Sequence, residues 1–498
     1  MDDTLDHGGA EEHHEGTSAS SAGTVSVDWE GLDLASIYST SIEPEGTNVR
    51  ILMLPMVEGV SVSPYREEAG GFNWVQVNMM DPSRLPAKLL AVAPSSDHVG
   101  CCITYGGADY ILYLNPSNDC VILRNNSWDR VVVELSGESG VIVEMRSSIT
   151  LEPSTWAINS ISGICLVQFK ILSLKTWRIT SSSAREAASE GESPDNPLLT
   201  LERGEIITIG AGNSSYQLTY EEPIPDRQFS SVWRGQHSKM PGKIVAAKVI
   251  KPDSSQRDAT IDAAESFLHE NSIHSFLGAH PAIIPYLGCD ARFHTIYTEH
   301  VDAKSLLYHV KDDQNKFNGN AVSARRILGD MASALSFLHK RGVVHGDVKL
   351  GNIIFDPVRG AVLGDFNHSF KEEDPLNSRG SPWYLPPEYL RDSNSRGPAS
   401  DMWALGIVLL WALHYIPMPD QQGGWDIADL HPCGPVRETN KTVHGSMTNW
   451  LNRVLEAKFR LRDKGGEIET AVGTLLQQNR ARRSDAETLE QLLAQSNL

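Results

Sequence analysis

Three side chains that could serve one reaction lie close together in the stretch HGDVKLGN. A carboxylate (Asp347), a lysine (Lys349) and an amide (Asn352) fall in one loop, between a helical pattern and an apolar, strand-like run. A second carboxylate, Asp365, follows in LGDFNHS, and a second lysine, Lys248, lies upstream in IVAAKVI. Phosphoryl transfer needs this short set of residue types, because its catalysis consists mainly of positioning the reactants and stabilising negative charge with cations and metal. We therefore expect these side chains to meet at a site for phosphoryl transfer.

The upstream lysine needs a partner. Lys248 lies between Val-Ala-Ala and Val-Ile, so its ammonium must reach into a cleft or be buried, and an unpaired buried charge is costly. The helical run FLHENSIHSFLGAHP offers Glu270, and Glu265 is the alternative carboxylate just upstream. The residues alone leave both carboxylates open as the partner of Lys248.

These segments, in this order, resemble the signature set of the eukaryotic protein kinase family over about residues 216–494. The segments that carry the resemblance are IVAAKVI, the FLHENSIHSFLGAHP helix, YTEHVDAKSL, HGDVKLGN, LGDFNHS, GSPWYLPPE and DMWALG. Lysine two residues after the aspartate of HGDVK resembles the serine/threonine kinases rather than the tyrosine kinases. The resemblance implies ATP and Mg²⁺ as cofactors and a protein with a Ser or Thr hydroxyl as substrate.

The resemblance also implies a role for each matched residue. Asp347 and Lys349 would be catalytic, the first orienting the acceptor hydroxyl and the second steadying the γ-phosphate. Asn352 and Asp365 would bind the metal. The spacing typical of the family favours Glu270 over Glu265 as the partner of Lys248. The residues that would bind nucleotide, directly or by holding the lysine, are Lys248, Glu270, Ile224, Val232, Ala246, Glu299, Val301 and Ile354.

Other matched residues would have structural roles. Thr298 would guard the back of the nucleotide pocket, Phe366 would pack beneath the helix, and Ser381 would contact Asp347. Asp401 would hold the HGDVKLGN loop, and Glu388 would pair with a later arginine, Arg483.

Three departures from the family pattern bear on activity. In PIPDRQFSSVWRG, Pro225, Arg227 and Ser230 stand where the family has glycines, and proline removes both a backbone donor and conformational freedom. Asn367 replaces the DFG glycine, a mild change because asparagine tolerates positive φ. Gly346 replaces the arginine that, in many kinases, grips a phosphate on the activation segment. We therefore expect that phosphorylation of Ser369 or Ser378 does not switch this domain on.

Two functions remain open on these residues. The retained site residues favour an active serine/threonine kinase, whereas the loop without glycines favours a pseudokinase that acts as a scaffold or allosteric module. A peptide-binding function of the N-terminal region is compatible with either.

Composition limits the remaining function classes. The chain has 498 residues, a formal net charge of −20 and a hydrophobic fraction of 40%. The charge argues against nucleic acid as a partner, and the longest apolar run, MWALGIVLLWAL, is too short for membrane insertion. The six cysteines show no metal-ligand spacing, and no secretory h-region is visible, so we expect an intracellular protein, cytoplasmic or nuclear.

Strand-like runs separated by turn residues fill the N-terminal third of the chain, among them VRILMLPM, YILYLN, RVVVEL and ICLVQFKIL. Part of this region resembles a degenerate forkhead-associated (FHA) sandwich, which implies a protein or phosphopeptide partner, although no phosphate-binding set is identifiable. The predicted fold is an N-terminal all-β sandwich-like domain followed by a bilobal α+β kinase domain. The predicted segments are a disordered acidic tail over 1–25, the β domain over 26–180, a linker over 181–198, connecting strands over 199–215 and the kinase domain over 216–494. The runs LLTLE and EIITIG, which follow the linker, are predicted as strands.

Overall fold

The computed structural model describes residues 49–66, 73–77, 87–92, 97–136, 138–172, 180–181, 196–210, 215–227, 229–253, 255–311, 315–374, 380–392, 395–425, 427–430 and 438–495. The predicted disordered tail and most of the predicted linker lie outside these residues. None of the helices in the described part of the chain combines the length and the apolar character that crossing a membrane requires.

Two antiparallel sheets form the N-terminal part of the chain. The strands are β1 Ile51–Pro55, β2 Ser61–Pro64, β3 Asn73–Val77, β4 Ala87–Val92, β5 Gly100–Tyr105, β6 Ala108–Leu114, β7 Val121–Asn125, β8 Val131–Leu135, β9 Val141–Val143, β10 Ser148–Leu151, β11 Thr155–Ser160 and β12 Cys165–Ile171. The first sheet has the order β3-β4-β1-β12-β11-β8-β9, and the second has the order β10-β7-β6-β5-β2.

The two N-terminal sheets share one buried core. Met53 and Phe169 of the first sheet lie in the same apolar cluster as Leu112 and Leu123 of the second. Successive side chains of a strand point to opposite faces, so alternate residues of strands such as β1, β6 and β7 supply this core. The strand-rich region expected from the sequence is therefore present.

A third sheet follows, with the order β13-β14-β15-β16-β17-β19-β18, and one helix lies against it. Its strands are β13 Thr180–Ser181, β14 Ile206–Ile209, β15 Tyr216–Arg227, β16 Ser230–His237, β17 Ile244–Ile250, β18 Tyr286–Asp290 and β19 Thr295–Glu299, and the helix is α1 Ala259–Leu277.

The boundary before this sheet differs from the sequence prediction. The run LLTLE, predicted as a strand, begins instead in a short 3₁₀ helix over Pro197–Leu199, because proline suits the first helical position and the Asn196 side chain caps it. Leu198 is buried in the core of the third sheet, so the last residues assigned to the linker belong to the folded unit. Of the predicted connecting strands, only Ile206–Ile209 is a strand among the described residues.

The rest of the chain is mainly helical. Its elements are β20 Lys304–Ser305, β21 Val310–Lys311, β22 Lys316–Phe317, α2 Ala321–His339, β23 Val343–Val344, β24 Ile353–Asp356, β25 Gly360–Leu363, β26 Phe370–Lys371, α3 Pro398–Ala412, α4 Glu438–Lys464, α5 Glu467–Leu475 and α6 Ala486–Gln495. The apolar run MWALGIVLLWAL lies largely in α3, where every residue from Ser400 to Ala412 is buried. A helix that is apolar all round is the centre of a core, and the other helices and short strands surround it.

Candidate active site

Lys248 meets two carboxylates between the third sheet and the helical region. On β17, Val245, Ala247 and Val249 are fully buried in the sheet's core, so alternation turns Lys248 to the opposite face. Its Nζ lies 2.7 Å from Glu270 Oε2 of α1 and 2.6 Å from Asp365 Oδ1.

The alternative carboxylate does not lie at Lys248. Glu265 accepts a hydrogen bond from the Tyr113 hydroxyl at 2.7 Å, so its side chain contacts the N-terminal sheets. Glu270 is only 2% exposed, and its charge is compensated by the lysine, as burial of an ion requires.

Asp347, the predicted catalytic carboxylate, lies in a network of hydrogen bonds. Its Oδ2 is 2.7 Å from Lys349 Nζ, and its Oδ1 accepts a hydrogen bond from Ser381 Oγ at 2.7 Å. Burial raises the pKa of Asp347, but the charges of Lys349 and His368, together with hydrogen bonds from Lys349 and Ser381, outweigh burial and hold that pKa below its ordinary value. The carboxylate is therefore an anion at neutral pH, and it can accept a hydrogen bond from a substrate.

Asn352 has one end fixed and the other end unsatisfied. Its Nδ2 donates to Asp347 Oδ2 at 3.1 Å and to the Asp347 carbonyl oxygen at 2.8 Å. Its Oδ1 is buried and has no hydrogen-bond partner among the described residues. A buried carbonyl oxygen without a partner is costly, and an amide oxygen together with a carboxylate such as Asp365 is a donor set that suits Mg²⁺. The residues present therefore fit a magnesium ion.

Asp401 at the start of α3 anchors the loop that carries these residues. Its carboxylate accepts hydrogen bonds from the backbone N–H groups of His345 at 2.8 Å and Gly346 at 2.9 Å. The His339 ring donates a further hydrogen bond to Asp401 at 2.9 Å. Burial raises the pKa of Asp401, and the hydrogen bond from His339 leads the interactions that lower it below the ordinary value. The loop conformation is therefore fixed by the buried helix.

The segment after β25 presents Asp365 in an unusual backbone conformation. Asp365 has φ of 67°, whereas Asn367, in the position of the family's glycine, is not among the described residues with positive φ. The tolerance of asparagine for positive φ is therefore not used here. Phe366 is fully buried and packs between the rings of His274 on α1 and His345, with centroid distances of 4.6 and 5.3 Å. It thus lies beneath the helix, as the resemblance implies.

Gly346 adopts φ of 74°, and a side chain there would collide with its neighbours. An ideal Cβ on Gly346 would lie 2.5 Å from the carbonyl oxygen of His368 and 2.9 Å from Arg396 Nη2. Arg396 is 6% exposed, and its guanidinium donates to the Gly346 carbonyl oxygen and lies over the Phe370 ring. Sequence reasoning missed Arg396, because a lone arginine ahead of a helix carries no motif.

The residues predicted to line the nucleotide pocket share one side of the third sheet, apart from one on β24. Val232 pairs with both Ile224 and Lys248, and Ala246 pairs with Thr298, so their side chains share the cleft face. Each of these side chains is partly exposed, as is Ile354 on β24.

The two backbone positions predicted to contact adenine already have some hydrogen bonds within the chain. The N–H of Glu299 donates to Pro285 at 3.0 Å, and the carbonyl oxygen of Val301 accepts from Ala303 at 2.7 Å. The groups that we expect to form hydrogen bonds with adenine are therefore the carbonyl oxygen of Glu299 and the N–H of Val301.

The segment without glycines forms a hairpin. β15 runs through Pro225 to Arg227, which pairs with Ser230 at the start of β16, and the register shifts between Ile224 and Arg227. Phe229 at the turn is 48% exposed. A strand pairing thus extends to the tip of the segment that in the family covers the phosphates.

One predicted ion pair lies away from the site. Arg483 Nη1 and Nη2 lie 2.8 and 2.9 Å from the two oxygens of Glu388, and the guanidinium also donates to the carbonyl oxygens of Gln477 and Ala399. Arg483 is 6% exposed and lies over the Trp403 ring. A bidentate pair in this setting ties the segment before α3 to the C-terminal helices.

Comparison with known proteins identifies the family of this chain. The protein kinase domain family matches residues 221–489, more than half of the chain. Over 237 residues the chain is 28% identical to mitogen-activated protein kinase kinase kinase YODA of Arabidopsis thaliana, covering 46% of this chain and 24% of that protein. It is 31% identical to protein kinase C eta type of Mus musculus over 181 residues, covering 34% of this chain and 25% of that protein.

The chain therefore spans about a quarter of the length of these two relatives. A crystal structure of a kinase domain matches at 16% sequence identity and a TM-score of 0.40, covering 55% of this chain and 93% of that one. Because the family match covers more than half of its residues, the chain belongs to the protein kinase family.

Proposed function

We propose that this chain is an active serine/threonine protein kinase, which transfers the γ-phosphate of ATP to a Ser or Thr hydroxyl of a protein. The observation that carries the proposal is the convergence of Lys248 on Glu270 and Asp365, three side chains that are distant in sequence. Phosphoryl transfer by kinases requires both the lysine–glutamate pair and the metal-binding aspartate to be in place.

Each residue of the site then has a chemical role. Lys248, held by Glu270, positions the α- and β-phosphates, and Asn352 and Asp365 hold Mg²⁺. When bound, the metal neutralises the charge that develops on the phosphates. Asp347 orients the acceptor hydroxyl and accepts its proton, since it is ionised at neutral pH and fixed by Ser381.

Lys349 distinguishes serine/threonine from tyrosine kinases in this proposal. Its Nζ contacts Asp347 and donates a hydrogen bond to Ser381 Oγ at 3.0 Å. These two contacts fix the position of the ammonium group. A cation beside the acceptor carboxylate is well placed to steady the γ-phosphate as it leaves ATP.

The nucleotide base would lie against apolar side chains of both lobes. Ile224, Val232 and Ala246 cover it from the sheet, and Ile354 from β24 lies on the other side. Backbone groups of Glu299 and Val301 would bind the adenine edge.

A pseudokinase is the second candidate, and the hairpin at Pro225 is the observation that favours it. Backbone amides that approach phosphate closely need glycine's freedom, and Pro225 has no N–H to donate. In our proposal this weakens ATP binding without abolishing transfer, because the charged residues and the metal site supply most of the stabilisation.

Activation in this proposal does not depend on phosphorylation at Ser369. Its side chain is fully buried and donates to the His345 carbonyl oxygen at 3.0 Å, so the hydroxyl is not accessible to another kinase. Arg396 already supplies a guanidinium beside Gly346, in the region where many kinases bind a phosphate through an arginine. Ser378 lies outside the described residues.

For the N-terminal strands we propose a sandwich of the FHA-like type, supported by two sheets around one core. The protein or phosphopeptide partner of this region stays a prediction, as does an intracellular location.

Incubation of the full chain with Mg·ATP and a generic protein substrate, followed by phosphoamino-acid analysis, tests the proposed function. We expect phosphoserine or phosphothreonine from the wild type and from Lys243→Met, an exposed lysine near the start of the same strand. Lys248→Met should give none. Transfer to tyrosine alone, or no transfer by any of the three proteins, would contradict the proposal.

A further inference from the structure

The second N-terminal sheet is apolar on both of its faces. In β6, Tyr110 and Leu112 face the core between the two N-terminal sheets, whereas Ile111 and Tyr113 lie on the opposite face. Ile111 and Tyr113 are nevertheless only 2% and 1% exposed. The outer face of this sheet is therefore covered by another part of the chain.

Helix α1 provides that cover. Ile111 and Tyr113 belong to one buried apolar cluster with Ile261, Ala264 and Leu268 of α1. These three helix residues recur at helical spacing and so form one stripe along α1. We call this contact between the second N-terminal sheet and α1 the docking interface.

Two carboxylates of α1 give the docking interface its polar contacts. Glu265 accepts from the Tyr113 hydroxyl at 2.7 Å and pairs with Arg66 Nη2 at 2.5 Å. Asp258 accepts from Ser148 Oγ and lies 3.6 Å from Arg124 Nη1. Each carboxylate thus binds one hydroxyl and one arginine of the N-terminal part of the chain.

Asp258 contacts the N-terminal sheets with the side chain that could otherwise cap the helix. It occupies the N-cap position of α1, where an aspartate commonly accepts from the first backbone N–H groups. Its side chain makes no such capping hydrogen bond and is directed to Ser148 instead. Asp258 and Glu265 are seven residues apart, which places them two turns apart on one face of α1.

Glu270 lies on another face of the same helix. At 3.6 residues per turn, five residues separate Glu270 from Glu265 by about 140° around the axis. The helix is therefore held on one side by the N-terminal sheets and on the other by Lys248, 2.7 Å from Glu270. A rotation or outward shift of α1 that moved Glu270 from Lys248 would also break the contacts of Glu265.

We propose that the N-terminal β domain activates the kinase site of the same chain. By docking on α1 through Asp258 and Glu265, it holds Glu270 against Lys248. The partner that this sheet face fits is thus the kinase's own helix, and release of the docking interface lowers activity. This regulatory role rests on the proposed kinase activity, but the docking itself is measurable without it.

Charge reversal in the full-length chain tests the coupling. Arg66→Glu and Glu265→Arg each place like charges together, and the double variant restores an opposite pair. Asp262→Asn, an exposed carboxylate of the same helix, is the control. The readouts are amide hydrogen exchange over residues 259–277 and the rate of phosphate transfer from Mg·ATP.

We expect each single variant to exchange α1 amides faster and to lose transfer activity about fivefold or more, with recovery of both in the double variant. If the wild type transfers no phosphate but exchange still rises and recovers, the proposed activity fails and the docking stands. Unchanged exchange in both single variants, or activity losses without recovery in the double variant, would overturn the inference. The milder Tyr113→Phe, which removes only the hydroxyl, should shift exchange in the same direction by a smaller amount.

Discussion

Arg396 occupies the space that a side chain on Gly346 would need. The guanidinium donates to the carbonyl oxygen of the glycine, and an ideal Cβ on Gly346 would lie 2.9 Å from Arg396 Nη2. The glycine is therefore required by its surroundings and by its φ of 74°. An arginine at position 346, the residue of many kinases, could not be introduced without moving the segment around His368.

The first prediction concerns this glycine. Gly346→Ala should lower the free energy of unfolding by about 2 kcal/mol or more, because a left-handed backbone is strained for alanine and its Cβ meets the His368 carbonyl. Gly329→Ala, in the interior of α2, should instead raise it by about 0.5–1 kcal/mol, because the new Cβ meets no atom within 4 Å among the described residues outside the helix's own backbone and the two neighbouring residues. Denaturant unfolding measures both values, and equal effects of the two substitutions would be inconsistent with the crowding at Gly346.

The second prediction concerns the Glu388–Arg483 pair. Arg483→Lys should destabilise the protein by about 2–3 kcal/mol, because lysine cannot bind both carboxylate oxygens and leaves Glu388 partly unpaired in a buried setting. Arg482→Lys, its exposed neighbour, is the matched control and should change the stability by less than about 0.5 kcal/mol. Thermal or denaturant unfolding of the two variants decides the matter; a loss confined to activity, with unchanged stability, would refute a structural role.

The third prediction concerns a buried histidine behind α1. His294 is 1% exposed and stacks on Phe267, and burial lowers its pKa to about 4 from 6.5. As the pH decreases, His294 therefore becomes protonated near pH 6.5 in the unfolded chain, but only near pH 4 in the folded chain. His294 alone should lower the free energy of unfolding by about 3 kcal/mol as the pH decreases between these values.

His294→Asn should remove this contribution, since asparagine does not titrate and tolerates the φ of 49° found there, while His237, whose pKa burial also lowers to about 4 from 6.5, continues to contribute. His414→Asn, an exposed histidine that also has positive φ, is the control and should retain nearly the wild-type dependence. Unfolding free energies measured between pH 4 and 7 test this, and an unaltered slope in His294→Asn would rule out His294 as its source.

The fourth prediction concerns the hairpin over the nucleotide site. Pro225→Gly restores a backbone N–H and conformational freedom at a position where the family has glycine, and should lower the KM for ATP about threefold. Pro223→Gly, two residues earlier on the same strand, should leave the KM unchanged. A Pro225→Gly variant with unaltered KM would show that the missing glycine does not limit nucleotide binding.

The residue types alone predicted that Lys248 needs a carboxylate partner, whereas the resemblance to the kinase family specified which side chains were expected to meet. Lys248 in an apolar strand required a partner, and Asp347, Asn352 and Asp365 occupy loops beside strands. The structure places Glu270 rather than Glu265 at the lysine, as the resemblance to the kinase family favoured. The LLTLE run was predicted wrongly, because a proline ahead of it begins a 3₁₀ turn and Leu198 enters the core.

Contacts between distant surfaces could not be read from the chain. Arg396 is one polar residue among several ahead of α3 in the sequence. Its role becomes evident only from the structure, which places its guanidinium beside Gly346. The docking interface had one sequence signal: β6 reads ADYILYL, apolar at nearly every position, which is typical of a strand covered on both faces. The pattern indicates that both faces of β6 are buried, but it does not identify α1 as the element that packs on the outer face.

The central claim is that Asp347 serves phosphate transfer in an active kinase, and the most direct measurement is the single-turnover rate of phosphate transfer from Mg·ATP. Asp347→Asn removes the charge with little change of shape, and Asp463→Asn makes the same change at an exposed position of α4. We predict that Asp347→Asn transfers phosphate about 100-fold more slowly than the wild type, while Asp463→Asn is unaffected. Equal rates for all three proteins would contradict the account.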